Sequence, residues 1–125
     1  MTYFQKSGNK YRAKTTEYNG HIYHSKLEAA YAAELDLRKR GKDIKDWERQ
    51  RKLDLRVNGI HITNYYIDFV IHHNDGSFEF VETKGMPTTE WKLKWALFEA
   101  LFDSDFRKTG NDKMTVVKQS SMRFR

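Results

Sequence analysis

Asp68, Glu82 and Lys84 have the residue types and spacing to do chemistry together. Each acid sits within an otherwise apolar segment, Tyr66-Ile67-Asp68-Phe69-Val70-Ile71 or Phe78-Glu79-Phe80-Val81-Glu82-Thr83-Lys84. Ionised carboxylates are rarely left in such places without a partner or a metal. If the second segment is a strand, Glu82 and Lys84 project from one face, because side chains alternate with a period of two. Asp68 joins them only in one hairpin register. A two-residue loop at Asp75-Gly76 would pair 68 with 83. A three-residue loop, Asn74-Asp75-Gly76, pairs 73 with 77 and so 68 with 82, and Gly76 suits the left-handed residue that ends such loops. Carboxylates opposed in this way, about 5 Å apart at Cβ, repel each other unless a divalent cation lies between them.

The chemistry that matches this set is phosphodiester hydrolysis. Asp68 and Glu82 would hold one or two magnesium ions that polarise the scissile phosphate, with the main-chain carbonyl of Thr83 as a further ligand. Lys84 would stabilise the developing negative charge and help to orient the nucleophile. Glu28 could add another carboxylate to the metal site. Plainer readings stand beside these. Glu82 and Lys84 can form a simple same-face ion pair, Asp68 can bond a turn, and Glu28 can merely complete a capping box. Gln50 could point its side-chain amide at the site, although a solvent-facing glutamine is the plainer reading, and Glu34 is a competing helical carboxylate.

The elements that must position these groups follow from local patterns. Residues 10–18 alternate loosely, Asn19-Gly20 favours a type I′ turn, and His21-Ile22-Tyr23 returns, which predicts a small hairpin. Ser25-Lys26-Leu27-Glu28 has capping-box spacing and predicts a helix to Arg40, closed by Gly41, with Leu27, Ala30, Tyr31 and Leu35 as its apolar stripe. Leu53, Leu55 and Val57 alternate with charged residues up to Asn58-Gly59. A two-residue turn there would pair Val57 with Ile60 and Leu55 with Ile62, making one apolar face. The two strands carrying Asp68 and Glu82 are apolar on both faces, as expected of a central sheet covered on both sides. Thr88 or Thr89 caps a second helix to about Phe102, with Trp91, Trp95, Phe98 and Phe102 along one side, and Met114 to Val117 reads as a last strand. The order predicts a single-domain α/β sandwich with a mixed central sheet flanked by helices. Residues 1–9 are expected to form a basic arm, 10–118 the domain and 119–125 a tail.

Composition limits the functional classes. At 125 residues and 15.0 kDa the chain is the size of one domain, 38% hydrophobic and 32% charged. No apolar run approaches the roughly 18 residues of a membrane span, and the N-terminal residues lack a signal peptide's apolar stretch, so a soluble cytoplasmic protein is expected. There is no cysteine, which excludes disulfides and thiol chemistry, and the five histidines are too scattered for a tetrahedral zinc site. The 23 Lys and Arg against 17 Asp and Glu, a formal charge of +6, favour a polyanionic partner.

With these residues in view, the chain resembles the PD-(D/E)XK nucleases, and among them the phage endonuclease I type of Holliday-junction resolving enzyme. The matching segments are Ser25-Lys26-Leu27-Glu28, Tyr66-Ile67-Asp68-Phe69 and Phe80-Val81-Glu82-Thr83-Lys84-Gly85, in the same order and at similar separations. Ile67 stands where that family usually has proline, at a position that carries no ligand. The resemblance implies a restriction-endonuclease-like fold and a metal-dependent DNA endonuclease. Its site would comprise Asp68, Glu82 and Lys84 with Glu28 as an acid from the first helix, and would use magnesium, with manganese able to substitute. It also implies DNA contacts from Lys92 and Lys94, branched or Holliday-junction DNA as substrate, action as a homodimer, and the host cytoplasm as location if the chain is of phage origin. Similar cores serve sequence- or end-directed nucleases and nickases, and a basic DNA-binding module without catalysis is a reading from another class.

Overall fold

In the computed structural model, residues 15–118 are described, so the predicted arm, the start of the first hairpin and the tail lie outside them. The chain forms β1 (Thr16–Tyr18), β2 (His21–Tyr23), α1 (Lys26–Arg40), β3 (Asp46–Val57), β4 (Ile60–His72), β5 (Phe78–Lys84), α2 (Thr89–Leu101), a π-helical turn (Phe102–Phe106) and β6 (Lys113–Lys118). The main sheet has the order β3-β4-β5-β6, antiparallel except for the parallel pair β5 and β6, while β1 and β2 form a separate ribbon. It is an α/β domain with a mixed sheet between helices, as the order of elements predicts. Among the described residues no helix is long and apolar enough to cross a membrane.

Local chemistry accounts for the element ends. Ser25 Oγ accepts from the amide of Glu28 at 3.0 Å, and Thr88 Oγ1 from that of Trp91 at 3.1 Å, so both helices begin at hydroxyl caps. At the end of α1, Gly41 keeps a right-handed φ of −78° and the left-handed residue is Lys42 at φ 64°, which moves the expected glycine closure one residue on. Asn58 and Gly59, at φ 53° and 79°, make the type I′ turn that joins β3 to β4.

Two expectations need correcting. The hairpin is longer than predicted: β3 begins at Asp46, and β4 runs unbroken from Ile60 through Asp68. Val57 does pair with Ile60, but a register shift between Leu55 and Arg56 sets Leu55 opposite Thr63 rather than Ile62. The predicted apolar face therefore does not form. Leu55 is fully buried, whereas Ile60 and Ile62 are 65% and 52% exposed. In α1, Ala30 is only half-buried, and Ala29 and Ala32 line the core instead.

The sheet separates two cores. On one side Tyr23, Tyr31, Ala32 and Leu35 pack against Phe69, Ile71, Val81 and Val117. On the other, Phe98 and Phe102 pack against Leu53, Tyr65, Ile67, Val70 and Phe80, with Trp91 and Trp95 at its margin. Each fully buried large apolar side chain contributes about 1.5–3 kcal/mol. The aromatic side of α2 thus covers the sheet rather than projecting as free dimer surface.

Within β3 and β4 the two cores exchange strand faces. Ile67 and Phe69 are two apart on β4, yet they lie in opposite cores. Arg49 and Arg51 on β3 behave likewise, the first over the Tyr23 ring and the second over Phe78 and Phe80. Regular strands would keep each pair on one face. The ladder joins Arg49 to Phe69 and Arg51 to Ile67 but skips Gln50 and Asp68 between them, and Gln50 has the left-handed φ of 56° that reverses the pleat.

Candidate active site

The turn between β4 and β5 is the three-residue loop. The His73 amide bonds to the Ser77 carbonyl at 2.9 Å, the Gly76 amide to the His73 carbonyl at 3.0 Å, and Gly76 has φ 89°. Pairing runs from His72 opposite Phe78 to Phe69 opposite Val81, so the next step brings Asp68 level with Glu82. There the strands part and carboxylates replace the ladder. Asp68 Oδ2 accepts from the amide and hydroxyl of Thr83, at 2.9 and 2.8 Å, and the Asp68 amide donates to Glu82 Oε1 at 3.3 Å.

Electrostatics make this pair unusual. Burial, then the charges of Glu82 and Glu28, push the Asp68 carboxyl well above the usual carboxylate range. Burial also raises Glu82, 3% exposed, against the opposing pull of Lys84 and the Tyr65 hydroxyl. Lys84 Nζ lies 3.4 Å from Glu82 Oε2. One ammonium therefore faces two carboxyl groups whose charged forms are disfavoured by burial and, for Asp68, by the neighbouring acids.

Glu28 reaches the site from the first turn of α1 and is 2% exposed, whereas the competing Glu34 is exposed. Its carboxylate bridges two elements: Oε1 accepts from the His24 amide at 2.7 Å, and Oε2 from Gln50 Nε2 at 3.0 Å. The expected capping box is only half made, since Ser25 caps Glu28 but Glu28 turns to His24 and Gln50. Gln50 thus points its side-chain amide into the site, and the plainer reading of it as a solvent-facing glutamine is the one that needs correcting.

Beyond Lys84 opens a groove of about 590 Å³, lined by Trp91, Lys92 and Lys118 as well as Lys84. The Lys84 ammonium sits 5.3 Å from the centre of the Trp91 ring, a cation–π contact, and the Trp91 indole donates to Tyr65 at 3.1 Å. Of the two lysines singled out from the sequence, Lys92 lines this groove. Lys94 pairs with Glu90 at 3.3 Å along the helix and does not. Lys118 was missed. It is placed by the parallel pairing of β6, which sets it opposite Lys84.

Among the described residues, no three His, Asp or Glu side chains are gathered closely enough to form a metal cage. Magnesium does not need one, since it commonly keeps several waters and binds through one or two carboxylates. The all-oxygen set of Asp68, Glu82 and the Thr83 carbonyl, with two buried carboxyl groups beside one ammonium, fits that cation in chemistry. No curated protein and no solved structure matches the chain. Residues 8–118 match the family described as protein of unknown function (DUF1064), and the chain belongs to that family.

Proposed function

We propose that this protein is a magnesium-dependent endonuclease that hydrolyses phosphodiester bonds in DNA, acting on branched DNA as a homodimer. The observation that carries the chemistry is the meeting of Asp68 and Glu82, two buried acids from adjacent strands, beside the Lys84 ammonium. Such a pair is costly to the fold and is the kind of feature found where pKa values are tuned for reaction. The preference for branched DNA and for two chains rests on the resemblance of the three motif segments to junction-resolving enzymes.

In this reading Asp68, Glu82 and the Thr83 carbonyl would hold the cation, with Glu28 as a further carboxylate of the metal site, and the cation when bound would supply the positive charge that polarises the scissile phosphate. Thr83 fixes the Asp68 carboxylate with two hydrogen bonds, so it need not reorganise. Lys84, anchored between Glu82 and the Trp91 ring, places its ammonium where negative charge grows on the phosphate oxygens. The groove lined by Lys92 and Lys118 continues from that point and offers two further cations to neighbouring phosphates of the same strand.

The deciding experiment incubates purified protein with magnesium and linear, nicked, flapped and four-way DNA, alongside Glu82→Gln. Cleavage of four-way DNA in preference to linear duplex, lost in Glu82→Gln and in chelator, is expected. Cleavage that survives Glu82→Gln would refute the assignment. Activity on nicked or linear DNA alone would keep the chemistry and replace the substrate.

A further inference from the structure

Gln50 combines features that a solvent-facing strand glutamine would not need. It has φ 56° within β3, a conformation that costs a non-glycine residue energy and survives only where surroundings impose it. It lies opposite Asp68, at the step where the ladder is skipped and both strands exchange faces. Its amide donates to Glu28 Oε2, and Glu28 is 2% exposed.

These facts belong together. With a regular pleat at Gln50, Arg49 and Arg51 would share a face, as would Ile67 and Phe69. The reversal lets Arg49 lie on Tyr23 and donate to the Ile22 carbonyl at 3.2 Å, which ties β3 to β2 just ahead of α1. Glu28 is then held from two sides, by the His24 amide that follows β2 and by Gln50 of β3. A glutamine amide orients a carboxylate without neutralising it, as an arginine or lysine would do less well beside a cation.

We infer that Gln50 is a positioning residue of the site, its left-handed backbone and its amide together aiming the Glu28 carboxylate toward Asp68 and the metal. The inference rests on the nuclease reading, in which Glu28 serves the metal. Gln50 itself touches neither substrate nor metal and acts through Glu28.

Two substitutions test the amide, one relieving the backbone cost and one keeping it. Gln50→Gly keeps the left-handed backbone without strain and removes the amide. Gln50→Met keeps the side-chain length and the backbone cost and also removes the amide. Each is made alone and with Glu28→Gln, checked for folding by circular dichroism, and measured for manganese affinity by calorimetry and for magnesium-dependent cleavage. Both single variants should bind manganese about tenfold or more weakly and cleave correspondingly slowly, the scale typical of groups that orient a ligand. Neither should add a further loss to Glu28→Gln, since Gln50 acts only through the Glu28 carboxylate, which that change has already removed. Gln50→Met with wild-type affinity and rate, or losses that add in full to Glu28→Gln, would overturn the inference. A wild-type protein that neither binds manganese nor cleaves DNA would overturn the nuclease reading itself, a separate result.

Discussion

Asp68 accepts two hydrogen bonds from Thr83, one from its amide at 2.9 Å and one from its hydroxyl at 2.8 Å, in the place where the β4–β5 ladder would otherwise continue. The carboxylate is thereby built into the sheet and held in one orientation. Thr83→Val removes only the hydroxyl bond, and a hydrogen bond to a charged group is worth about 1.5–3 kcal/mol. Slower cleavage at little change in DNA affinity is the expected outcome, read by single-turnover rates beside equilibrium binding. Equal rates in the two proteins would show that the amide alone positions Asp68.

Removing one of the two buried acids should stabilise the metal-free fold while destroying activity. Asp68→Asn keeps an oxygen to accept from Thr83 and removes the cost of burying a carboxylate there and its repulsion with Glu82 and Glu28. A gain on the order of 1 kcal/mol, seen as a higher thermal midpoint in chelator, is expected together with loss of cleavage. Magnesium should raise the midpoint of the wild type but not that of the variant. A lower midpoint for Asp68→Asn in chelator would contradict the electrostatic picture of the site.

The groove lysines should differ from their helical neighbour. Lys92→Glu and Lys118→Glu each place an acid beside Lys84 in the groove, whereas Lys94 is already paired with Glu90 outside it. By fluorescence anisotropy, each groove variant should bind DNA more weakly at every sequence and lower the salt slope by about 0.9 per lost phosphate contact. Lys94→Glu should change binding less than either. Equal losses for all three would mean that the groove is not the path of the strand.

Two chains should act together. Light scattering at micromolar concentration with four-way DNA is expected to give a protein mass twice the 15.0 kDa of one chain, as two matching nicks need two Asp68-Glu82-Lys84 sites. One chain per junction, cutting one strand, would point to a nickase.

How much of this could be read from the residues depends on whether a local signal existed. The register of Asp68 and Glu82 was legible because Gly76 selects the three-residue loop, and loop length fixes parity. Glu28 was placed by the cap at Ser25, which sets the start of α1. The Leu55 register shift was not legible, since Leu55-Arg56 carries no glycine or other bulge signal, and it leaves Ile60 and Ile62 exposed. Gln50 was only half legible. Its left-handed backbone is imposed by tertiary contacts, and the carboxylate it meets is 22 positions away. Lys118 escaped notice because a parallel pair has no turn to fix its register, so nothing short of the fold sets it opposite Lys84.

Asp112 ties the start of β5 to the turn that leads into that parallel pair, which gives the pH prediction. Asp112 is 2% exposed in the turn before β6, and it accepts from the amide of Phe78 at the start of β5 at 2.9 Å and from the amide of Lys108 at 2.8 Å. Burial alone would raise its carboxyl, but the Thr109 hydroxyl and the amides of Lys108, Phe78 and Thr109 outweigh it and hold it at about 2, below the ordinary 3.8. A carboxyl lowered by folding lends stability that is complete above its unfolded value and is lost as pH falls through its folded value. The contribution, on the order of 2 kcal/mol, should therefore stand at pH 5 and disappear between about pH 4 and 2. Asp112→Asn should cost about 1–3 kcal/mol at pH 7, because an amide cannot accept on both sides and leaves buried donors unpaired. Urea denaturation of both proteins at pH 7, 5 and 3 checks this: the gap between them should be constant from pH 7 to 5 and narrow at pH 3. A gap that widens toward pH 3 would show that Asp112 is not the group holding β5 and β6 in register.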